Sequence, residues 1–146
     1  MLGMLSSLSF FDTFGEEEIK DFSSYMSLQH VTEGAVLFHE GDVGEYLFFV
    51  IEGVVEIILT NKETQSQVIA TVGTGGTVGE MSLLDEYERS ATVRAATDLE
   101  ILILTKTKFA KVISEKPKLG VKVIQGLAKS ISVRLRTSQG HYREIV

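Results

Sequence analysis

Tyr46-Leu47-Phe48-Phe49-Val50-Ile51-Glu52-Gly53-Val54-Val55-Glu56-Ile57-Ile58-Leu59-Thr60 holds two short apolar runs, 46–51 and 54–60, on either side of a glycine. Both runs are rich in β-branched and aromatic residues and read as successive strands. The pattern extends outward from them. Further apolar runs stand at 35–39, 67–72, 91–96 and 99–104, and eight of the thirteen glycines fall between Gly34 and Gly79, at or near run boundaries. No proline interrupts the series. Regular strands joined by glycine turns predict a mainly β chain, an antiparallel β-roll or jelly-roll barrel rather than βαβ units. Asn61-Lys62-Glu63-Thr64 reads as a polar hairpin tip.

Helical patterns flank the strands. Glu16-Glu17-Glu18 suits a helix N-terminus. Ile19, Phe22 and Met26 recur at helical spacing, which predicts a helix over 16–26. The aromatics Phe10, Phe11 and Phe14 precede it, with an exposed partner-binding patch as the functional alternative to burial. After Leu104, Thr105 or Thr107 caps a short helix to about Ser114, and Pro117 suits the start of a long one reaching about Gln139. Ile124, Ala128, Ile131, Leu135 and Ser138 step by 4, 3, 4 and 3, a heptad seam that Val123 and Leu127 widen. A helix of about 20 residues is ~30 Å long, more than one small roll covers. The seam therefore predicts a homodimer through this helix; the alternative is packing on its own roll alone. Gly120 and Gly126 weaken the helix by up to ~1 kcal/mol each relative to alanine.

Length and composition bound the function. At 146 residues the chain reads as one domain over 1–146, with an N-terminal helical segment near 10–27, the roll over 28–105 and C-terminal helices over 106–140. A net charge of −6 argues against a general nucleic-acid-binding surface. The absence of cysteine excludes disulfides, zinc–thiolate sites and iron–sulfur clusters. The first eleven residues lack a basic region of the signal-peptide kind, and no run approaches the ~18 apolar residues of a membrane span. A cytoplasmic protein without a membrane partner is the expectation. His30, His39 and His141 are scattered, with no His-x-His pair. Gly73-Thr74-Gly75-Gly76 lacks the lysine of a P-loop, and no Gly-x-Ser-x-Gly elbow occurs. These points predict no enzyme, no catalytic residue, no metal and no cofactor.

One segment breaks the strand series: Thr77-Val78-Gly79-Glu80-Met81-Ser82-Leu83-Leu84-Asp85-Glu86-Tyr87-Glu88-Arg89-Ser90-Ala91-Thr92-Val93. A glycine turn leads to a carboxylate, and an arginine followed by a hydroxyl comes nine residues later. Glu80 suits a sugar hydroxyl, Arg89 a forked contact to phosphate oxygens, and Ser90 a further hydroxyl donor. Backbone N–H groups after Gly79 suit an anion. In the free state Arg89 is expected to be satisfied by water or Glu88.

Gly79-Glu80-Met81-Ser82-Leu83-Leu84 and Arg89-Ser90-Ala91-Thr92-Val93 resemble the phosphate-binding cassette of cyclic-nucleotide-binding domains. Phe38-His39-Glu40-Gly41-Asp42-Val43-Gly44-Glu45 and the strands after it are similar to that family's Gly-Asp turn and strand pair. The resemblance covers about residues 10 to 137. It implies a cyclic-nucleotide sensor of the catabolite-activator type, with Gly79, Glu80, Met81, Ser82, Arg89, Ser90 and Ala91 as ligand-binding residues. Arg134-Leu135-Arg136-Thr137-Ser138 is similar to the stretch that reaches the base in that family, which implies Arg134 and Ser138 as base contacts. The implied ligand is cAMP, with cGMP as the second choice, and the implied signal is movement of the C-terminal helix. The chain has no helix-turn-helix after Gly140, so no DNA binding by this chain alone is expected; output passes through a partner protein, the dimer or a missing domain. The alternative is an interaction and dimerisation domain of the same fold, ligand-free or sensing another small acid.

Overall fold

Residues 5, 8–60, 65–85 and 88–138 of the chain are described by the computed structural model, residues 137 and 138 by backbone alone. A 3₁₀ turn at Ser9–Phe11 precedes α1 (Glu16–Ser23). Eight strands follow: β1 (Ser27–Val31), β2 (Val36–Phe38), β3 (Tyr46–Glu52), β4 (Val55–Thr60), β5 (Ser66–Val72), β6 (Thr77–Val78), β7 (Thr92–Ala95) and β8 (Leu99–Thr105). Helix α2 (Glu80–Asp85) lies between β6 and β7, and α3 (Lys106–Glu115) and α4 (Pro117–Ser138) close the order. The strands form two antiparallel four-stranded sheets, ordered β1-β8-β3-β6 and β2-β7-β4-β5. This is the expected mainly β roll with flanking helices.

Strand β3 shows why the opening stretch decides the fold. Leu47, Phe48, Phe49, Val50 and Ile51 are all buried. Side chains alternate across a strand, so such a run must be covered on both faces. Phe48 and Val50 meet Phe38, Val55, Val78, Val93 and Ile101 in the core between the sheets. Leu47, Phe49 and Ile51 face the helical layer, with Phe11, Phe14, Phe22, Phe109, Val123 and Leu127. The N-terminal aromatics are therefore core: Phe11 and Phe14 are buried, and Phe10 packs against the same cluster.

The helices begin where local chemistry places them. Glu18 accepts the Gly15 N–H at 2.8 Å, closing the first turn of α1. Thr105 Oγ1 accepts the Lys108 N–H at 3.2 Å as the N-cap of α3. Lys122 of α4 ion-pairs with Glu18 at 2.7 Å, and Lys116 with Asp21 at 3.0 Å, so α1 is tied to the C-terminal helices. α1 ends at Ser23, three residues before the predicted Met26, because the chain turns into β1 at Ser27. Strands β1 and β6 are additions to the predicted runs. β1 is an edge strand whose first four residues are exposed, so it carries little hydrophobic signal.

Candidate functional site

The site is assembled where the Gly41-Asp42 turn meets the segment from Thr77 to Arg89. The Asp42 carboxylate accepts the His39 N–H at 2.9 Å, shaping the turn. The turn then pairs with the arginine: the Arg89 N–H donates to the Asp42 carbonyl at 2.7 Å, and Gly41 N–H donates to the Arg89 carbonyl at 2.9 Å. Gly44 sits against α2 so closely that an added Cβ would lie 2.1 Å from the Ser82 Cβ. The two segments quoted for the resemblance are thus one structural unit.

Arg89 is 3% exposed. Its Nη1 donates to the Gly79 carbonyl at 3.0 Å and its Nη2 to the Tyr46 carbonyl. The guanidinium lies 3.8 Å from the Phe38 ring centroid and 5.2 Å from that of Tyr46. Stacking on aromatic faces suits a planar, weakly hydrated cation. Glu88 is exposed and does not satisfy Arg89; carbonyls and ring faces do, because those groups are what the roll presents at this depth. Burial lowers the Arg89 pKa, opposed by Tyr46, Asp42, Glu80 and Glu45. A guanidinium has five N–H donors. Two are used here, and the buried Nε–H has no partner among the described residues.

Glu80 is completely buried at the start of α2. Gly79, with φ of +88°, makes the turn that carries the chain from β6 into this helix. Arg134, on the far helix α4, brings Nη1 to 2.6 Å from Glu80 Oε1 and donates through Nη2 to the Thr77 carbonyl. Oε1 is held by this ion pair, and Oε2 has no hydrogen-bond partner among the described residues. Burial raises the Glu80 pKa, opposed chiefly by Arg134 and more weakly by Arg89.

The other predicted residues divide. Ser82 and Ala91 are buried beside the site, and Ser90 and Met81 are exposed. Arg134 is brought to the site, where it faces the carboxylate. The Ser138 side chain lies outside the described residues. Sequence reasoning assigned no role to Phe38, Tyr46 or Thr77. Phe38 and Tyr46 bracket the Gly-Asp turn, and that adjacency was the available signal. Among the described residues no group of three or more His, Asp or Glu is placed to hold a metal.

The site thus combines a β-roll with a buried carboxylate and a buried guanidinium, a donor and acceptor set suited to a small polar ligand. Comparison with known proteins specifies the family: residues 28–116 match the family described as cyclic nucleotide-binding domain, and the chain belongs to that family. The chain is 35% identical over 126 residues to the cyclic AMP receptor protein of Thermus thermophilus, covering 86% of this chain and 56% of that protein. It is 26% identical over 113 residues to the cAMP-activated global transcriptional regulator of Salmonella typhimurium, covering 77% and 54%. A solved cyclic nucleotide-binding domain from Methylobacillus flagellatus superposes with a TM-score of 0.87 at 30% identity, over 99% of this chain and 82% of that one. The Thermus thermophilus catabolite activator protein superposes with a TM-score of 0.79 at 32% identity, over 93% and 62%. The chain spans about half the length of these two curated relatives. No helix among the described residues is long and apolar enough to cross a membrane.

Proposed function

We propose that this chain is a cyclic-nucleotide sensor and that its ligand is cAMP. The observation that carries the proposal is a buried carboxylate and a buried guanidinium at one site, with Glu80 Oε2 and Arg89 Nε lacking hydrogen-bond partners among the described residues. Unsatisfied buried polar groups are costly. An anion bearing a nearby hydroxyl supplies what both lack: a phosphate oxygen for the guanidinium and a donor for the carboxylate. A ribose cyclic phosphate has this combination. Met81 and Ser82 follow Glu80 on the first turn of α2, Ser90 stands exposed beside Arg89, and Gly79, Ala91 and the backbone around them complete the cradle. The choice of cAMP rests on the names of relatives such as the cyclic AMP receptor protein.

Occupancy is read by α4. Arg134 and a ribose hydroxyl address the same carboxylate, so ligand binding redistributes a contact that now holds the helix to the roll. The helix passes the change to a homodimer. Ile124 and Leu135 are exposed large apolar residues on its heptad seam, a stripe that a partner helix would cover. Isothermal titration with cAMP, cGMP and cyclic dinucleotides tests the reading. Saturable binding of cAMP in preference to the others is expected, and absence of binding by all of them overturns it.

A further inference from the structure

Helix α4 contains two glycines, although alanine is the better helix former. A Cβ at Gly120 would lie 3.0 Å from the Ile113 Cα, so this glycine admits the backbone of α3. Gly126 has a different neighbour. A Cβ there would lie 2.7 Å from both Cε2 and Cζ of Phe10, closer than carbon atoms approach without contact strain. The Phe10 ring borders a groove beside α4 on one side and is packed against the aromatic cluster on the other. It meets Phe49 edge-on at 4.8 Å and Phe11 at 5.0 Å, and lies tilted on Phe14 at 5.9 Å. Phe49 belongs to β3, so the ring under Gly126 is held by the roll itself.

The groove, of about 360 Å³, includes this contact in its lining: Phe10 and Gly126 border it together with Thr13, Thr77, Lys129 and Val133. Val123 and Leu127 seat the helix in the core; beyond them it is positioned by the ring under Gly126 and by Arg134, whose guanidinium meets the Thr77 carbonyl and Glu80. Gly126 and Arg134 are eight residues apart, roughly 12 Å along the axis. A shift of the helix at the first point is carried to the second, since a helix is stiff over two turns.

We propose that Gly126 is a positioning residue: the Phe10 ring, seated on its bare backbone, sets the height and register of α4 and so delivers Arg134 to Glu80. The inference deepens the sensor reading, because the contact it positions is the one through which α4 senses the site. Its test does not require a nucleotide.

The experiment compares wild type, Gly126→Ala, Phe10→Leu and the double variant by thermal denaturation and by NMR titration of the Glu80 carboxyl. On helix propensity alone, Gly126→Ala raises the melting temperature by about 2–4 °C. With the ring seated there, it lowers it instead. It also moves the Glu80 titration midpoint upward, because the guanidinium of Arg134 withdraws while Arg89 stays in place. Phe10→Leu removes the opposing ring atoms, and the double variant recovers both readings. A higher melting temperature for Gly126→Ala overturns the contact, as does failure of Phe10→Leu to restore it. A lower melting temperature with an unchanged Glu80 midpoint overturns the positioning role and leaves a packing role only. Failure of wild type to bind any cyclic nucleotide overturns the sensor reading but leaves these outcomes readable.

Discussion

Gly79 and Arg89 are fitted to one another. The glycine carbonyl accepts from Arg89 Nη1 at 3.0 Å, and a Cβ on the glycine would lie 2.5 Å from that same nitrogen. The glycine is required twice, by its left-handed φ and by the arginine beside it. Gly79→Ala is therefore expected to cost about 1–3 kcal/mol of stability through backbone strain. It should also displace the guanidinium and lose nucleotide binding. Calorimetric titration and thermal denaturation of the same preparation check both effects. Arg89→Ala should lose about 2–5 kcal/mol of binding, the range for truncating one partner of a buried charged pair. It also leaves the Gly79 and Tyr46 carbonyls without their donor, so some loss of stability accompanies it. Near-native affinity in either folded variant rejects the site.

Glu80 makes a prediction about pH. Its carboxyl is buried and its pKa raised, so the folded state holds the proton more tightly than the unfolded state. The stability it contributes is fully present below the unfolded pKa and is lost as pH rises through the folded one. Glu80→Gln removes this titration. The variant should gain stability relative to wild type as pH rises from the acid range to neutrality, although it binds nucleotide less well. Denaturant unfolding across pH measures the trend; a difference that shrinks toward neutrality contradicts the assigned environment. On wild type, 2′-deoxy-cAMP should bind about 1.5–3 kcal/mol more weakly than cAMP, the range for a hydrogen bond to a charged group.

Arg134 links the site to the long helix. In Arg134→Ala, nucleotide binding should no longer alter hydrogen exchange of the α4 amides, whereas wild type should show a ligand-dependent change there. Binding itself survives in this variant, because Arg89 and the cradle around α2 are untouched. An undiminished exchange response without Arg134 would place the coupling elsewhere.

The exposed heptad stripe predicts assembly. Leu135→Glu, and Ile131→Glu on the same seam, should convert a homodimer into a folded monomer with weaker nucleotide binding. Light scattering at high micromolar concentration decides the matter: a wild-type chain that is monomeric with and without nucleotide rules out the dimer.

Much of the architecture was legible because the relevant physics is local. The run Leu47 to Ile51 is apolar at every position, which a strand buried on both faces requires. Thr105 caps its helix through a neighbour three residues away. Gly79, Glu80, Arg89 and Ser90 lie within one short stretch, so their chemistry could be recognised before their geometry was known. Edge strand β1 was missed because its pairing with β8, rather than its own exposed residues, makes it a strand. The surroundings of the site depended on contacts made at long range. The Tyr46 carbonyl that receives Arg89 is 43 positions away, and the Thr77 carbonyl that receives Arg134 is 57 away. Phe10 and Gly126 come from opposite ends of the described chain. Periodicity reports which face of an element is apolar. It carries no information on which carbonyl, ring or bare backbone stands opposite a side chain, because the close packing of separate elements decides that.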